Sequence, residues 1–318
     1  MTRYPFRHES QGFLQEYRHV YSKSTFEERE RRLRRMGKDI EALWKDNKIS
    51  TTDPARMTHA DVKEFYALLR SRDISPNGIV HELGALNSLC QFCGNNCVET
   101  ARNRYPMMRG FKPSRRLPTV EPEDIKKILQ EGMRKESYED LRNYAIVATS
   151  VCSGLRPIEI QHALRDNIDL KEGVIFVSVV KGKGTYGESR TAPIHPEGIR
   201  LLQKYVDARD RTIKESDYLF PAPTHSRPIA TNSLRRYKSE VENELGIEIT
   251  FQSGRRTYGQ WLIDDRVPAE TVSLHMGHRT SKTTETFYAR QRESVAIETT
   301  KKIWEERRKE KTKEEVAD

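Results

Sequence analysis

Five side chains in the second half of the chain have types and an order suited to one kind of chemistry. Arg156 ends Gly154-Leu155-Arg156, and Lys183 sits inside Gly182-Lys183-Gly184. Arg255 lies in Gly254-Arg255-Arg256-Thr257-Tyr258, His278 closes Leu274-His275-Met276-Gly277-His278, and Tyr288 follows that histidine by ten residues. Two forked guanidiniums suit the non-bridging oxygens of a phosphate. A histidine can add a hydrogen bond where charge builds in the transition state. A lysine can protonate a departing oxygen, and a tyrosine can be a covalent nucleophile. In that order, the five can break and rejoin a phosphodiester.

Singly, each has an ordinary structural role. Gly154 ends one helix and Pro157 starts another, so Arg156 stands at a junction. There an ion pair with Glu159 would account for it, or Glu159 would buttress it. Lys183 reads as a solvated lysine at a hairpin tip, and no Walker loop is present. Arg255 and Arg256 share a helix with Tyr258, Trp261 and Leu262, as a basic turn would. His275 and His278 have no acidic or cysteine neighbour at metal-ligand spacing. A tyrosine on an amphipathic helix is ordinarily core.

Order and spacing separate the set from these readings. It resembles the catalytic domain of the tyrosine recombinases, the phage-integrase and Xer-like family. Gly-Leu-Arg with an acid three residues on matches Arg156 and Glu159; a hairpin lysine in a Gly-Lys-Gly setting matches Lys183. The arginine of a His-x-x-Arg box matches Arg255, a Leu-Gly-His box matches Met276-Gly277-His278, and Thr-Thr-x-x-x-Tyr matches Thr283, Thr284 and Tyr288. The resemblance spans roughly residues 20–292.

The resemblance implies a mainly α fold with a small antiparallel β-sheet in the C-terminal domain. It implies a two-domain C-shaped clamp: a SAM-like helical core-binding domain and a DNA breaking-rejoining catalytic domain. Tyr288 would attack a DNA phosphate, forming a 3′-phosphotyrosyl link and releasing a 5′-hydroxyl. Arg156, Arg255 and His278 would hold the phosphate, and Lys183 would act as general acid. Neither a metal nor another cofactor would be needed. The partner would be double-stranded DNA, with a dimer on each site and a tetramer in the synapse.

Two positions depart from the family pattern. Gln252 occupies the first place of the His-x-x-Arg box, and glutamine does not titrate, so it cannot take the phenolic proton. One extra residue follows His278, which puts Phe287 where strict spacing expects the nucleophile; phenylalanine cannot attack, so Tyr288 is assigned. Lys181 is an alternative to Lys183. Two other readings use the same residues: a type IB topoisomerase, and a recombinase-derived DNA-binding protein that has lost catalysis, for which Gln252 is the support.

The elements that must position this set divide the chain. Residues 1–110 read as helical, with Thr25 capping a helix to about Lys45, Thr58 capping a second, and Ser75-Pro76 opening a third. Residues 111–119 form a basic, proline-punctuated linker, solvated or strapped across a phosphate backbone. The catalytic domain would span 120–293. Pro122 opens a helix there, Tyr138 to Val151 forms an apolar one, and helices resume from Pro196, near Thr231 and from Gly254. Val174 to Val180 is β-branched and bounded by glycines, as a strand is, and residues 189–194 can pair back with it. A charged tail, 294–318, would fray or dock on a second subunit.

Composition sets the bounds. The chain has 318 residues, 35% hydrophobic and 32% charged, with a formal charge of +9. That excess favours a polyanion partner, nucleic acid first, or belongs to a soluble protein that is simply basic. No apolar run reaches membrane-spanning length, and the first residues lack a signal-peptide core, which points to the cytoplasm, at the nucleoid. Cys90, Cys93 and Cys97 invite a zinc reading, but their spacing is one stripe of a helix, so they are expected as core.

Overall fold

The computed structural model describes residues 4–109, 118–179, 188–223 and 227–278, with residues 297, 300–304 and 308 of the tail. The chain divides into two compact units, Met1–Ser114 and Arg115–Asp318. Most of the expected linker, the hairpin lysines Lys181 and Lys183, and Phe287 with Tyr288 lie outside the described residues.

The first unit is all helical: α1 (Pro5–Tyr17), α2 (Lys23–Lys45), α3 (His59–Arg70), α4 (Pro76–Phe92) and α5 (Cys97–Arg104), then a 3-10 turn over Pro106–Arg109. Its core gathers Phe6, Phe13, Leu33, Met36, Ile40, Val62, Phe65, Leu83, Leu86 and Leu89. Thr58 caps α3 as expected, and its hydroxyl accepts from the Asp61 N–H while Asp61 accepts from the Thr58 N–H. Ser75 and Pro76 open α4. The second helix starts earlier than expected. Ser22 is its cap, accepting from the Thr25 N–H at 3.4 Å, so Thr25 lies inside the first turn. The cysteine stripe is also corrected. The fourth helix ends at Phe92 and Cys97 opens the next, yet Cys90 and Cys97 are both buried as core. Among the described residues no group of three His, Cys, Asp or Glu side chains could hold a metal, and no helix is long and apolar enough to cross a membrane.

The second unit is built around α7 (Tyr138–Ser153), against which α6 (Pro122–Arg134) packs. Every residue of α7 from Leu141 to Ser153 is buried. A helix enclosed on all sides must satisfy its polar side chains internally. Thr149 and Ser153 donate to the carbonyls four residues back, at 2.7 and 2.6 Å, and Ser150 donates to the Phe251 carbonyl at 3.2 Å. After it come a short helix α8 (Pro157–Gln161), strands β1 (Ile168–Asp169), β2 (Val174–Val177) and β3 (Arg190–Pro193), and helices α9 (Pro196–Thr212), α10 (Thr231–Leu245), α11 (Phe251–Asp264) and α12 (Ala269–Met276). Of these, α9, α10 and α11 also pack on α7.

The three strands form one antiparallel sheet in chain order, with Ile168 opposite Ile175 and Val177 opposite Arg190. The expected mainly helical fold with a small antiparallel sheet in the second half is therefore met. Two boundaries and one element differ. The strand expected over 174–180 stops at Val177, because its partner begins at Arg190 and the ladder ends with that pair. The first strand, two residues long, was not expected. The helix expected from Gly254 starts at Phe251, because Thr250 caps it by accepting from the Ser253 N–H at 2.9 Å.

Candidate active site

Two helix junctions and one helix of the second unit bring Arg156, His278 and Arg255 together. Gly154 closes α7 in the left-handed region, at φ 63°, and Pro157 opens α8. A side chain at Gly154 is excluded twice, since its Cβ would also meet the Tyr258 ring at 2.4 Å. Arg156 thus stands at the head of α8, and one turn on, Glu159 accepts from the Arg156 N–H at 2.8 Å and from its Nη1 at 2.9 Å. The pairing and the buttress weighed from sequence are one arrangement here.

Gly277 does the corresponding job at the end of α12, with φ 60°. The Gly277 N–H reaches the Leu274 carbonyl at 2.9 Å and the His278 N–H the Ser273 carbonyl at 3.0 Å. This is a Schellman closure, and it leaves the carbonyls of the next three residues to find donors elsewhere. Each takes a different arginine. Arg190 Nε donates to His275 at 2.8 Å, Arg255 Nη2 to Met276, and Arg156 Nη2 to Gly277 at 2.9 Å. The turn carrying His278 is therefore bolted to the α7–α8 junction, to β3 and to α11, and cations at a helix C-terminus are electrostatically favoured.

Glu159 is the anion at the centre. It is 2% exposed. Besides Arg156 it accepts from Arg190 Nη1 at 3.0 Å and Nη2 at 2.8 Å, and Arg255 Nη1 lies 3.9 Å away. Burial works to raise its pKa, but the Arg190 hydrogen bonds and charge, with those of Arg156, hold it below the usual carboxylate range. Arg255 also donates from Nη1 to the Gly154 carbonyl at 2.6 Å.

Three guanidiniums face one carboxylate, so the cluster keeps a cationic excess that suits a further anion. Arg156 is its open face: its side chain is 25% exposed, against 9% for Arg190 and Arg255. His278 is half-buried beside them. Burial first, then the charges of Arg255, Arg156 and Arg190, push its imidazole down to about 3, against an upward pull from Glu159. It is therefore neutral at ordinary pH.

Gln252 lies on α11, three residues before Arg255. Its side chain is exposed and accepts from Arg256 Nη2 at 3.3 Å, while Arg256 Nη1 donates to the Pro118 carbonyl at 3.0 Å. Lys183 and Tyr288 belong to the undescribed segments. Arg190 was not anticipated from the sequence; the only signal is a charged residue opening a strand whose third residue, Ala192, is fully buried.

A mostly helical unit with a three-stranded sheet thus presents clustered arginines and a turn-borne histidine, a set suited to an anion. The phage integrase family matches residues 118–294, more than half of the chain. The chain belongs to that family, the tyrosine recombinases. A tyrosine recombinase XerC from Pseudomonas fluorescens (strain Pf0-1) is 24% identical over 230 residues, covering 71% of this chain and 74% of its own length. XerC from Halalkalibacterium halodurans is 23% identical over 247 residues, covering 73% and 78%. Among solved structures, the Tn1549 transposon integrase in complex with circular intermediate DNA superposes with a TM-score of 0.63 at 17% identity, covering 93% of this chain and 99% of that one. A lambda integrase dimer bound to a COC′ core site gives 0.62 at 11% identity, covering 89% and 77%. These two likenesses are of fold.

Proposed function

We propose that this protein is a site-specific DNA recombinase that cleaves and rejoins DNA through a 3′-phosphotyrosyl intermediate. The observation that carries the reading is the convergence of Arg156 and Arg255 on the turn that holds His278, with Arg156 its most exposed cation. The names of the relatives and neighbours, recombinases and DNA-bound integrases, support it.

In this reading the Tyr288 oxygen attacks the phosphorus and the bond to the 5′ oxygen breaks. Arg156 and Arg255 balance the charge that grows on the non-bridging oxygens, and neutral His278 donates a hydrogen bond to one of them. Lys183 gives its proton to the departing 5′ oxygen. The phosphotyrosine conserves the bond energy, so a second 5′-hydroxyl rejoins the strand by the reverse step. The phenol, with an ordinary pKa of about 10, must lose a proton. Gln252 cannot accept it, and His278 is too weak a base in the free protein. Water or a phosphate oxygen takes it. The first unit would grip the duplex as a core-binding domain, with a dimer on each site and a tetramer in the synapse.

A nicked duplex tests the reading. Its sequence is selected for binding from a random library, and the nick lets the released strand diffuse away. Wild type is expected to trap a covalent adduct mapping to Tyr288, and Tyr288→Phe to trap none. A wild type that binds the duplex but forms no adduct overturns catalysis and leaves the DNA-binding reading that Gln252 favours. Recombination between two sites, against relaxation of supercoils alone, separates a recombinase from a type IB topoisomerase.

A further inference from the structure

We infer that Arg190 is a positioning residue of this site: its guanidinium locks the turn carrying His278 onto the Glu159–Arg156 pair without itself meeting the phosphate. The inference rests on the catalytic reading above and names a residue that the motif resemblance does not supply.

The geometry gives each nitrogen of the guanidinium a partner. Nη1 and Nη2 bind the two oxygens of Glu159 at 3.0 and 2.8 Å, and Nε binds the His275 carbonyl at 2.8 Å. A fork of this kind fixes direction as well as distance. The fit is close on the remaining side too: a Cβ on Gly277 would fall 2.8 Å from Arg190 Nη1 and 2.9 Å from its Cζ. Only a glycine lets the turn lie flat on this guanidinium. Its side chain is 9% exposed, while that of Arg156 is 25% exposed and can face a ligand.

The consequence is a division of labour among the three arginines. Glu159 orients Arg156 through two contacts, and Arg190 orients Glu159 through two more. The same guanidinium holds the last turn of α12, and His278 is three residues from the carbonyl it grips. Shifting Arg190 therefore moves a phosphate-facing arginine and the histidine together. A displacement of about 1 Å in a reacting group can cost on the order of 100-fold in rate.

The test uses the full chain, with R190K, which keeps the charge but not the fork, and R190Q, which keeps polarity but not charge. Three readouts are taken: affinity for the selected nicked duplex, the single-turnover rate of adduct formation, and the nuclear magnetic resonance signals of the His278 ring in free protein. R190K is expected to lose some stability with its fork but to stay folded, and to bind the duplex about as well as wild type. Its adduct should form about 100-fold more slowly, and its His278 ring signals should be displaced. Cleavage at the wild-type rate overturns the inference, as does a loss confined to melting temperature. Unmoved His278 signals in R190K also overturn it. Should R190Q fail to fold, R190K decides. Should wild type form no adduct, the catalytic reading fails, and the His278 signals alone decide whether Arg190 places that turn.

Discussion

Arg156 donates to the Gly277 carbonyl at 2.9 Å, joining the head of α8 to the end of α12 across 121 residues. The same guanidinium pairs with Glu159 through its other arm. A lysine at this position has one ammonium and no fork, so it cannot hold both anchors and still present a planar donor pair. Arg156→Lys is therefore expected to keep DNA affinity nearly intact while adduct formation falls by about 100-fold to 1,000-fold, the usual cost of removing one transition-state donor. Single-turnover cleavage measures it. A rate within about threefold of wild type would mean the fork is not used.

Glu159 should govern both stability and its acid limit. It is a buried anion shared by Arg156 and Arg190. Removing one partner of such a cluster leaves uncompensated charge, so Glu159→Gln is expected to lose roughly 3–5 kcal/mol in urea unfolding at neutral pH. The sign of the pH effect follows from the direction of its shift. The folded carboxyl lies below the ordinary 4.5, so the unfolded state takes up protons first. Its contribution is fully present above that value and is lost as pH falls through the lower, folded one. Unfolding curves in acid should show a smaller decline for Glu159→Gln than for wild type. Parallel declines would remove Glu159 from the acid transition.

Arg156 and His278 were legible as candidates because each sits in a short contiguous motif whose turn chemistry, Gly then Pro or Gly then His, is local, whereas Arg255, inside α11, was read from its motif alone. Arg190 was not legible. Its partners Glu159 and His275 are 31 and 85 residues away, and nothing beside it in the chain marks them. Local ambiguity caused the other misses. Ser22-Lys23-Ser24-Thr25 offers several cap residues, and it is Ser22 that accepts from the Thr25 N–H. A two-residue strand, Ile168–Asp169, is too short to show a period. By contrast α7 was legible as an apolar run, even though its buried Thr149, Ser150 and Ser153 are polar, because their hydroxyls are satisfied by backbone carbonyls.

Gly154 should tolerate no side chain. Its φ of 63° is left-handed, and an added Cβ would meet Tyr258 Cδ1 at 2.4 Å and Met276 Sδ at 3.2 Å. Tyr258 cannot swing away cheaply, since its buried hydroxyl donates to the Pro193 carbonyl at 2.8 Å. Backbone strain and overpacking add, so Gly154→Ala is expected to lose roughly 2–4 kcal/mol. Because the Gly154 carbonyl also receives Arg255, the folded fraction should cleave more slowly as well. Urea unfolding and cleavage per folded molecule check the two parts. Wild-type stability in Gly154→Ala would contradict the close approach of α7 and α11.

His278 is expected to stay neutral far into acid. Burial lowers its pKa first, and Arg255, Arg156 and Arg190 lower it further, to about 3 from an ordinary 6.5. Between those two values the unfolded chain binds the proton that the folded chain refuses, so this group makes stability rise with pH across the window. The cause can be tested directly. Arg255→Gln deletes the largest of the three charge contributions and should move the His278 titration upward, as should a bound phosphate by adding negative charge nearby. Ring signals followed by nuclear magnetic resonance from neutral pH to about pH 3 would read both shifts. A wild-type His278 titrating near its ordinary 6.5 would show that the arginines are not packed against it. The neutral imidazole would then be lost as the hydrogen-bond donor of the proposed mechanism.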